Sequence, residues 1–328
     1  MTRFGVLSTA LALVAFSLAQ AKADGDFKLA LPNHQGQLRW SADGFKIIQS
    51  SAKPDGREIG IRARNESGRL TLLAFLFLVP EQASLTGSKC RDSALEPEKR
   101  DSPTLKILQT SEIAPSGTLP VSVVTYTVQD ASGKPVYMVR GFVATGDICG
   151  DIEFYGNTPI SPEDGNLKKI LATYQLDGSY VPKFDDVLLY AQILYQAHMY
   201  KAAAPVFEMA LSKVGDSPAA SARTMRRVVT DQAGMSYGMS GDIPKARAIF
   251  ERATAEDPDY PIYYYNLACA DAEEKNLTGA RINLQKAFAR KANVIPGERM
   301  PDPTTDDSFL PYRTNKEFWT FLEGLNTK

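Results

Sequence analysis

Residues 241–287 read GDIPKARAIFERATAEDPDYPIYYYNLACADAEEKNLTGARINLQKA, and this stretch decides the fold of the second half of the chain. Ala246, Phe250 and Ala253 lie at helical spacing, and Pro258 follows them where the helix should end. The same small–large–small pattern returns 34 residues later, at Ala280, Leu284 and Ala287. A period of this length predicts a repeat built from a pair of antiparallel helices.

The period and pattern resemble the tetratricopeptide repeat (TPR), in which small residues let two helices approach and large residues fill the seam. The first copy contains Val187, Tyr190, Ala191, Leu194, Tyr200, Ala203, Phe207 and Ala210. The middle copy contains Ala233, Gly234, Tyr237, Gly241, Asp242, Ala246, Phe250, Ala253 and Pro258. The last copy contains Tyr264, Leu267, Ala268, Ala280, Leu284 and Ala287, and it departs from the pattern at Asp271. We therefore expect an all-α TPR solenoid of about three repeats over residues 184–292.

Spacing between the copies is uneven. Ala203 and Ala246 are 43 residues apart, so nine extra residues separate the first copy from the middle copy. This insertion predicts either a longer connection or an extended helix.

Residues 293–328 begin with a segment rich in Pro and Asp and end with aromatic residues. Asn315 can cap a helix from Lys316 to Leu325, and Phe318 and Leu322 would then cover the last repeat. We predict a linker followed by a C-terminal capping helix. The alternative is an exposed aromatic peptide that docks on a partner.

Residues 24–176 contain short apolar or alternating runs between turn signals, which predict β-strands. The runs are residues 27–31, 37–40, 45–49, 58–64, 70–79, 121–128, 136–144 and 148–155. The run 70–79 is almost wholly apolar, which is typical of a central strand covered on both faces. Ser161, Pro162 and Asp164 predict the start of a helix. We expect an α+β domain with one antiparallel sheet and a terminal helix, and this arrangement, with the element around Cys90, resembles the fold of the photosystem II extrinsic (PsbP-like) proteins.

The N-terminus has one basic residue, Arg3, then an apolar run and A-x-A sites. These features predict a signal peptide over residues 1–23, cleaved after Ala21 or Ala23. A membrane anchor is the alternative, but the run is short for the ~20 residues that a spanning helix needs. We therefore expect an exported protein, periplasmic or secreted, without stable membrane insertion.

The chain has three cysteines. Because paired thiols form disulfides in an oxidising compartment, we expect a bridge between Cys90 and Cys149 of the first domain. Two separate buried thiols are the alternative. Cys269 lies in the repeat region and is predicted to stay unpaired.

Composition and motifs narrow the possible functions. The formal net charge is −1, which gives no basic stripe of the kind that nucleic-acid-binding proteins carry. His34 and His198 are the only histidines, and no nucleotide-binding, zinc-protease or serine-hydrolase motif occurs. We therefore expect no nucleic acid, no metal, no cofactor and no catalysis.

In the TPR family, the first helices of the pairs line a concave groove that binds protein segments. The resemblance implies that the groove residues are Leu188, Leu189, Gln192, Tyr195, Asp231, Gln232, Met235, Met239, Tyr265, Asn266, Cys269 and Glu273. This set has no Lys or Arg, which disfavours the carboxylate clamp of TPR proteins that bind chaperone tails and favours an extended neutral or apolar segment. Met235 and Met239 fit a helical core equally well, because spacing alone does not orient a helix.

The sequence thus predicts an exported, non-catalytic scaffold that binds a protein or peptide partner through a TPR groove. A second hypothesis gives the β domain a small ligand or an enzyme activity, while the repeats serve oligomerisation or localisation. A third hypothesis makes both domains structural parts of a larger envelope assembly. A polar pocket with converging titratable groups in the β domain would favour the second hypothesis.

Overall fold

A computed structural model describes residues 25–79, 84–114, 118–214 and 219–326. The predicted signal peptide lies outside the described residues. The chain forms two compact units, which we call the sheet unit (residues 25–193) and the helical unit (residues 194–326). Among the described residues, none of the helices is long and apolar enough to cross a membrane.

The described strands of the sheet unit form two antiparallel sheets, and not the one sheet that the sequence predicts. The long sheet has the strand order β3-β4-β5-β9-β8-β7-β6, and the short sheet has the order β1-β2-β10. The elements are β1 (Asp26–Ala30), β2 (Gln37–Ser41), β3 (Phe45–Ala52), β4 (Glu58–Asn65), β5 (Thr71–Leu78), α1 (Gly87–Asp101), β6 (Lys106–Ile113), β7 (Val121–Gln129), β8 (Pro135–Thr145), β9 (Ile148–Gly156), α2 (Gly165–Thr173) and β10 (Gln175–Asp177).

Strand β5 lies inside the long sheet, where it pairs with β4 and β9. This position agrees with the central strand predicted for residues 70–79. Leu72 and Leu76, on one face, are fully buried, whereas Leu73 and Phe75, on the other face, are only half-buried. The strand is therefore central but completely covered on one face only.

Helix α1 is an element that the sequence analysis did not predict. Its sequence, GSKCRDSALEPEKRD, is strongly polar, and only Gly87, Cys90 and Leu95 are buried. Such a helix has no apolar stripe at helical spacing, which is the main sequence signal for a helix. Cys90 forms a disulfide with Cys149 of β9, and this confirms the predicted bridge.

The start of α2 differs from the prediction. Asp164, and not Ser161, precedes the first helical residue. The backbone N–H of Ser161 donates to the Asp164 carboxylate at 2.8 Å, and the Asp164 N–H donates to the Ser161 carbonyl at 3.0 Å. The two residues therefore close a turn before the helix, since Ser, Pro and Asp favour turns as well as helix starts.

Both edge strands of the long sheet contain a shift in register. In β3 the shift lies between Ile47 and Gln49, and in β6 it lies between Ile107 and Gln109. The side chains at the two shifts, Ile48 and Leu108, are 54% and 58% exposed. Such bulges twist a strand and interrupt its ladder of hydrogen bonds.

Helix α3 (Phe184–Gln196) begins in the sheet unit. Its Tyr190 hydroxyl donates to the carbonyl oxygens of Lys53 and Glu58 at 2.6 and 2.9 Å. The helical unit continues with α4 (Tyr200–Ser212), α5 (Ala219–Met239), α6 (Ile243–Glu256), α7 (Pro261–Glu273), α8 (Leu277–Ala289) and α9 (Lys316–Asn326). Helix α5 has 21 residues and α7 has 13, so the inserted residues extend a helix.

The turns after α3, α5 and α7 share one geometry. His198, Gly241 and Lys275 have positive φ angles of 58°, 88° and 64°. In each turn, the N–H of the next residue donates to the carbonyl five residues before it, and the pairs are Met199–Leu194, Asp242–Tyr237 and Asn276–Asp271. This pattern is the Schellman C-cap. Gly241 and Lys275 are 34 residues apart, so the structure repeats with the predicted period.

The seams between the helices contain the predicted small and large residues, and all of these are fully buried: Ala203, Phe207, Ala246, Phe250, Ala280 and Leu284. Gly234 of α5 lies so close to the Phe250 ring that a Cβ atom there would overlap it. The predicted capping helix is also confirmed. The Asn315 side chain accepts from the Phe318 N–H at 3.1 Å, and Phe318 and Leu322 of α9 are buried.

Candidate functional site

The predicted groove residues of α3 lie in both units. Leu188 is buried and Gln192 half-buried, and both belong to the sheet unit. Tyr195 belongs to the helical unit, where its hydroxyl lies 3.7 Å from the Met239 sulfur and its ring packs against Phe207. Tyr195 therefore has contacts within the repeats and is half-buried.

Asp231 and Asn266 connect α5 to α7. The Asn266 amide donates to an Asp231 carboxylate oxygen at 2.5 Å, and both side chains are buried. Burial raises the pKa of Asp231 to about 7; the charge of Glu298 adds to this shift, and the Asn266 hydrogen bond opposes it. In this structure the two residues link neighbouring helices, and neither side chain is exposed for contact with a partner.

Gln232 and Met235 lie on the same helix as Asp231. Met235 is buried, as the core interpretation of this residue predicts. Gln232 is half-buried, and its Oε1 atom has no hydrogen-bond partner among the described residues. This oxygen is itself buried, so Gln232 is an unsatisfied acceptor inside the helical unit and not an exposed contact.

The predicted groove residues of α7 are covered by the chain itself. Tyr265 and Cys269 are buried beneath a segment that follows α8, and we call residues 294–313 the C-terminal strap. The Tyr265 hydroxyl donates to an Asp306 carboxylate oxygen at 3.0 Å, and the Cys269 sulfur lies 3.9 Å from the same atom. Phe309 is fully buried, with its ring centroid 6.0 Å from that of Tyr265.

Further contacts fix the two ends of the strap. The Tyr260 hydroxyl donates to a Glu298 carboxylate oxygen at 2.7 Å. At the other end, the Tyr312 hydroxyl donates to the Ala272 carbonyl at 2.5 Å. The strap thus follows α7 over most of the helix, from Tyr260 just before its first residue to Ala272 near its last.

Carboxylates gather between the strap and the helices without matching cations. Burial raises the pKa values of Glu273, Glu298 and Asp306, and the charge of Asp306 adds to the shift at Glu273. Among the described residues, none of these three forms an ion pair with Lys, Arg or His. The guanidinium of Arg227 lowers the pKa of Glu298 in part, but it donates its hydrogen bonds to Asp257 at 2.6 and 3.1 Å and to the Asn293 carbonyl at 3.3 Å.

The sequence analysis assigned the strap to a linker and did not place it on α7. Two signals were available. The Pro-rich composition excludes a long helix, and Phe309 and Tyr312 supply large rings that need burial. Neither signal identifies the surface on which the segment packs.

The sheet unit contains a buried cluster of charges around Arg140. Its guanidinium lies 2.5 Å from Glu98, 2.5 Å from Asp151 and 3.3 Å from Glu153. Burial raises the pKa of Glu153 to about 7, with further contributions from Asp151 and Glu98, while the charge of Arg140 opposes the shift. Tyr126 donates to Glu98 at 2.8 Å. The groups satisfy one another, as expected for a structural network.

A cavity of about 740 Å³ lies elsewhere in the sheet unit, on β1, β2 and β10. Its lining includes the charged or amide side chains of Asp26, Lys28, Gln37, Arg39, Gln175 and Asp185. The size and polarity suit a small polar ligand. In the part of the chain that the structure describes, no group of His, Cys, Asp and Glu side chains could hold a metal ion.

Comparisons with known proteins give only weak structural similarities. No family model matches the chain, and no curated protein does. The crystal structure of the Sgt2 TPR domain from Aspergillus fumigatus is 20% identical, with 45% of this chain and 84% of that chain covered and a TM-score of 0.31. PcrH from Pseudomonas aeruginosa is 15% identical, with 44% and 91% covered and a TM-score of 0.30. A protein of Bacteroides thetaiotaomicron is 10% identical, with 65% and 76% covered and a TM-score of 0.33.

Similarities with TM-scores this low carry no argument about fold or function. The TPR-like architecture rests on the repeated turns and buried seams of the helices themselves.

Proposed function

We propose that this protein is an exported, non-catalytic scaffold whose helical unit binds an extended segment of a protein partner on α5 and α7. One observation carries the proposal: the surface along α7 already binds an irregular segment, the C-terminal strap, which has turns and one short 3-10 helix at Leu310–Tyr312. Stacked helix pairs offer long surfaces of this kind, and peptide segments commonly bind in such grooves.

The donors on this surface define which segments fit. The strap is held by the neutral hydroxyls of Tyr260 and Tyr265 and by the ring of Tyr265, not by Lys or Arg. Both hydroxyls donate to strap carboxylates, but a hydroxyl can donate equally well to a neutral acceptor such as an amide, and it lacks the positive charge that holds the carboxylate of a chain terminus. On α5, the buried Oε1 atom of Gln232 has no hydrogen-bond partner among the described residues, and a segment that entered this region could supply one.

Export is part of the proposal. It is supported by the composition of residues 1–23 and by the Cys90–Cys149 disulfide, because structural disulfides persist mainly in oxidising compartments.

Site-specific photocrosslinking in the native host tests this function. A photoreactive residue replaces Gln232, and a matched control places it at Glu256, an exposed position on α6. We expect one partner, identified by mass spectrometry, to crosslink at position 232 and not at 256. The purified partner should then bind the wild type more tightly than Gln232→Ala. Crosslinking only at 256, or at neither position, would contradict the proposal.

The cavity of the sheet unit favours a second candidate function, the binding of a small polar ligand. Small molecules released when the purified protein is denatured can be identified by mass spectrometry. A compound that accompanies the wild type and is lost in Arg39→Ala would support this function, and its absence from both proteins would contradict it.

A further inference from the structure

The C-terminal strap occupies the part of the helical unit where the sequence places the partner-binding residues of the last repeat. Tyr265 and Cys269 are both almost fully buried. Asp306 of the strap accepts hydrogen bonds from both side chains, and the ring of Phe309 packs against the Tyr265 ring. A partner segment can reach these residues only if the strap leaves. The strap therefore competes with any partner for this surface.

The way in which the strap docks differs from the way in which α9 docks. Helix α9 packs with its buried apolar residues, and its Glu317 pairs with Arg281 at 2.8 Å. The Arg281 guanidinium also lies 4.8 Å from the centre of the Phe321 ring. Helix α9 thus has complementary charge and apolar contact, as expected for a permanent cap.

The strap instead brings carboxylates together. Asp306 lies against Tyr265 and Cys269 of α7, and its charge adds to the raised pKa of Glu273 on the same helix; the charge of Glu298 likewise adds to the raised pKa of Asp231 on α5. Like charges that share a buried site repel each other, and partial burial strengthens the repulsion because the medium screens less. The favourable contacts of the strap include hydrogen bonds from the hydroxyls of Tyr260 and Tyr265 to its carboxylates and the hydrogen bond of Tyr312 to the Ala272 carbonyl. The rings of Phe309 and Tyr312 add contacts with Tyr265 and with Phe318 of α9. Attraction and repulsion oppose each other here, which is a reason for the strap to be displaceable.

We propose that the C-terminal strap is a displaceable occupant of the α7 surface, and that the partner replaces it with a segment that presents a neutral polar side chain to Tyr265 and an aromatic ring three residues later. This inference rests on the proposed function and names the partner's chemistry. A neutral side chain keeps the contact with the Tyr265 hydroxyl and removes the repulsion between Asp306 and Glu273. The aromatic ring takes the place of Phe309.

Cys269 provides a direct measurement of strap opening in the full-length protein. It is the only cysteine outside the disulfide, and its sulfur is covered by the strap. The rate of labelling by a maleimide, relative to the unfolded chain at the same pH, reports how often the strap opens.

The main variant is Phe309→Ala, and the matched control is Phe321→Ala on α9. We expect Phe309→Ala to raise the labelling rate roughly a hundredfold, because truncation of a buried Phe changes an opening equilibrium by at least that factor. Phe321→Ala should label at nearly the wild-type rate. Tyr312→Phe, which removes only the hydrogen bond to the Ala272 carbonyl, should raise the rate by a smaller factor if Phe309→Ala fails to fold. Equal rates in Phe309→Ala, Tyr312→Phe and wild type would overturn the inference.

Peptide binding tests the partner chemistry. A fluorescent peptide with the sequence of residues 302–313, DPTTDDSFLPYR, is added to the full-length proteins, and its anisotropy is measured. We expect binding to Phe309→Ala and much weaker binding to wild type, whose strap occupies the site. The same peptide with Asp306→Asn should have a lower Kd near pH 8. A peptide that binds neither protein, or an Asp306→Asn peptide that binds more weakly, would contradict the inference.

The two proposals fail in different ways. If a partner crosslinks at position 232 while Cys269 labelling is insensitive to Phe309→Ala, the strap inference is wrong and the proposed function stands. If the strap opens and the peptide binds but no partner is captured, the proposed function is wrong and the strap inference stands.

Discussion

Replacement of Gly234 by alanine is expected to destabilise the helical unit, although alanine is the better helix former. Gly234 lies inside α5, where glycine costs about 1 kcal/mol relative to alanine. Its missing side chain leaves room for the ring of Phe250, which is fully buried. An added methyl group would push this ring out of place, and overpacking of this kind costs about 1–3 kcal/mol. The net expectation is a loss of up to roughly 2 kcal/mol after the helix gain is subtracted.

The assay is denaturant unfolding followed by far-UV circular dichroism. Gly324→Ala is the matched control, because Gly324 also lies in a helix, α9, and the added Cβ would have no neighbouring atom within 4 Å in the described part of the chain. It should stabilise the protein by up to about 1 kcal/mol. In a Phe250→Leu background, Gly234→Ala should cost less, since the smaller side chain leaves space. If Gly234→Ala stabilises the protein as Gly324→Ala does, Gly234 does not pack against the Phe250 ring, and the reasoning is refuted.

Three further predictions concern other parts of the chain. Lys275→Gly should stabilise the helical unit by about 0.5–1 kcal/mol in thermal unfolding, because φ at this position is 64° and a side chain is strained there; an unchanged or lower Tm would contradict this. Loss of the disulfide in Cys90→Ala/Cys149→Ala should cost up to about 4 kcal/mol, the loop-entropy value for a separation of 59 residues, as measured by denaturant unfolding against the oxidised wild type. Glu153→Gln should stabilise the sheet unit near pH 8 and much less near pH 5. The folded-state pKa of Glu153 is raised from 4.5 to about 7, so the wild type loses stability as the pH rises through this window, by up to roughly 3 kcal/mol; a stability difference that does not change with pH would refute this reasoning.

The sequence was most informative where periodicity and packing agree. Ala246, Phe250 and Ala280 predicted the helix pairs, since a repeat must bury the same positions in each copy. The cap at Asn315 was also predictable, because its side chain acts on its own helix. The Cys90–Cys149 bridge followed from the expected compartment.

Other features depend on contacts that local patterns do not encode. Helix α1 is polar and is held by Leu95 and by the disulfide of Cys90, so it lacks an amphipathic pattern. The turn at Ser161 uses residue types that also begin helices. The position of Asp306 beside Tyr265 joins residues 41 apart, and no spacing rule predicts it. The PsbP-like resemblance of the sheet unit and the signal peptide stay predictions.

The register shifts in β3 and β6 affect how the long sheet can pair with strands of other proteins. An unprotected edge strand invites added strands from other proteins, which leads to fibres or to recognition by strand addition. Here both edge strands of the long sheet have a register shift, at Ile48 and at Leu108, so a regular incoming strand would lose hydrogen bonds at each shift. The two register shifts thereby make the long sheet a poor template for strand addition at either border.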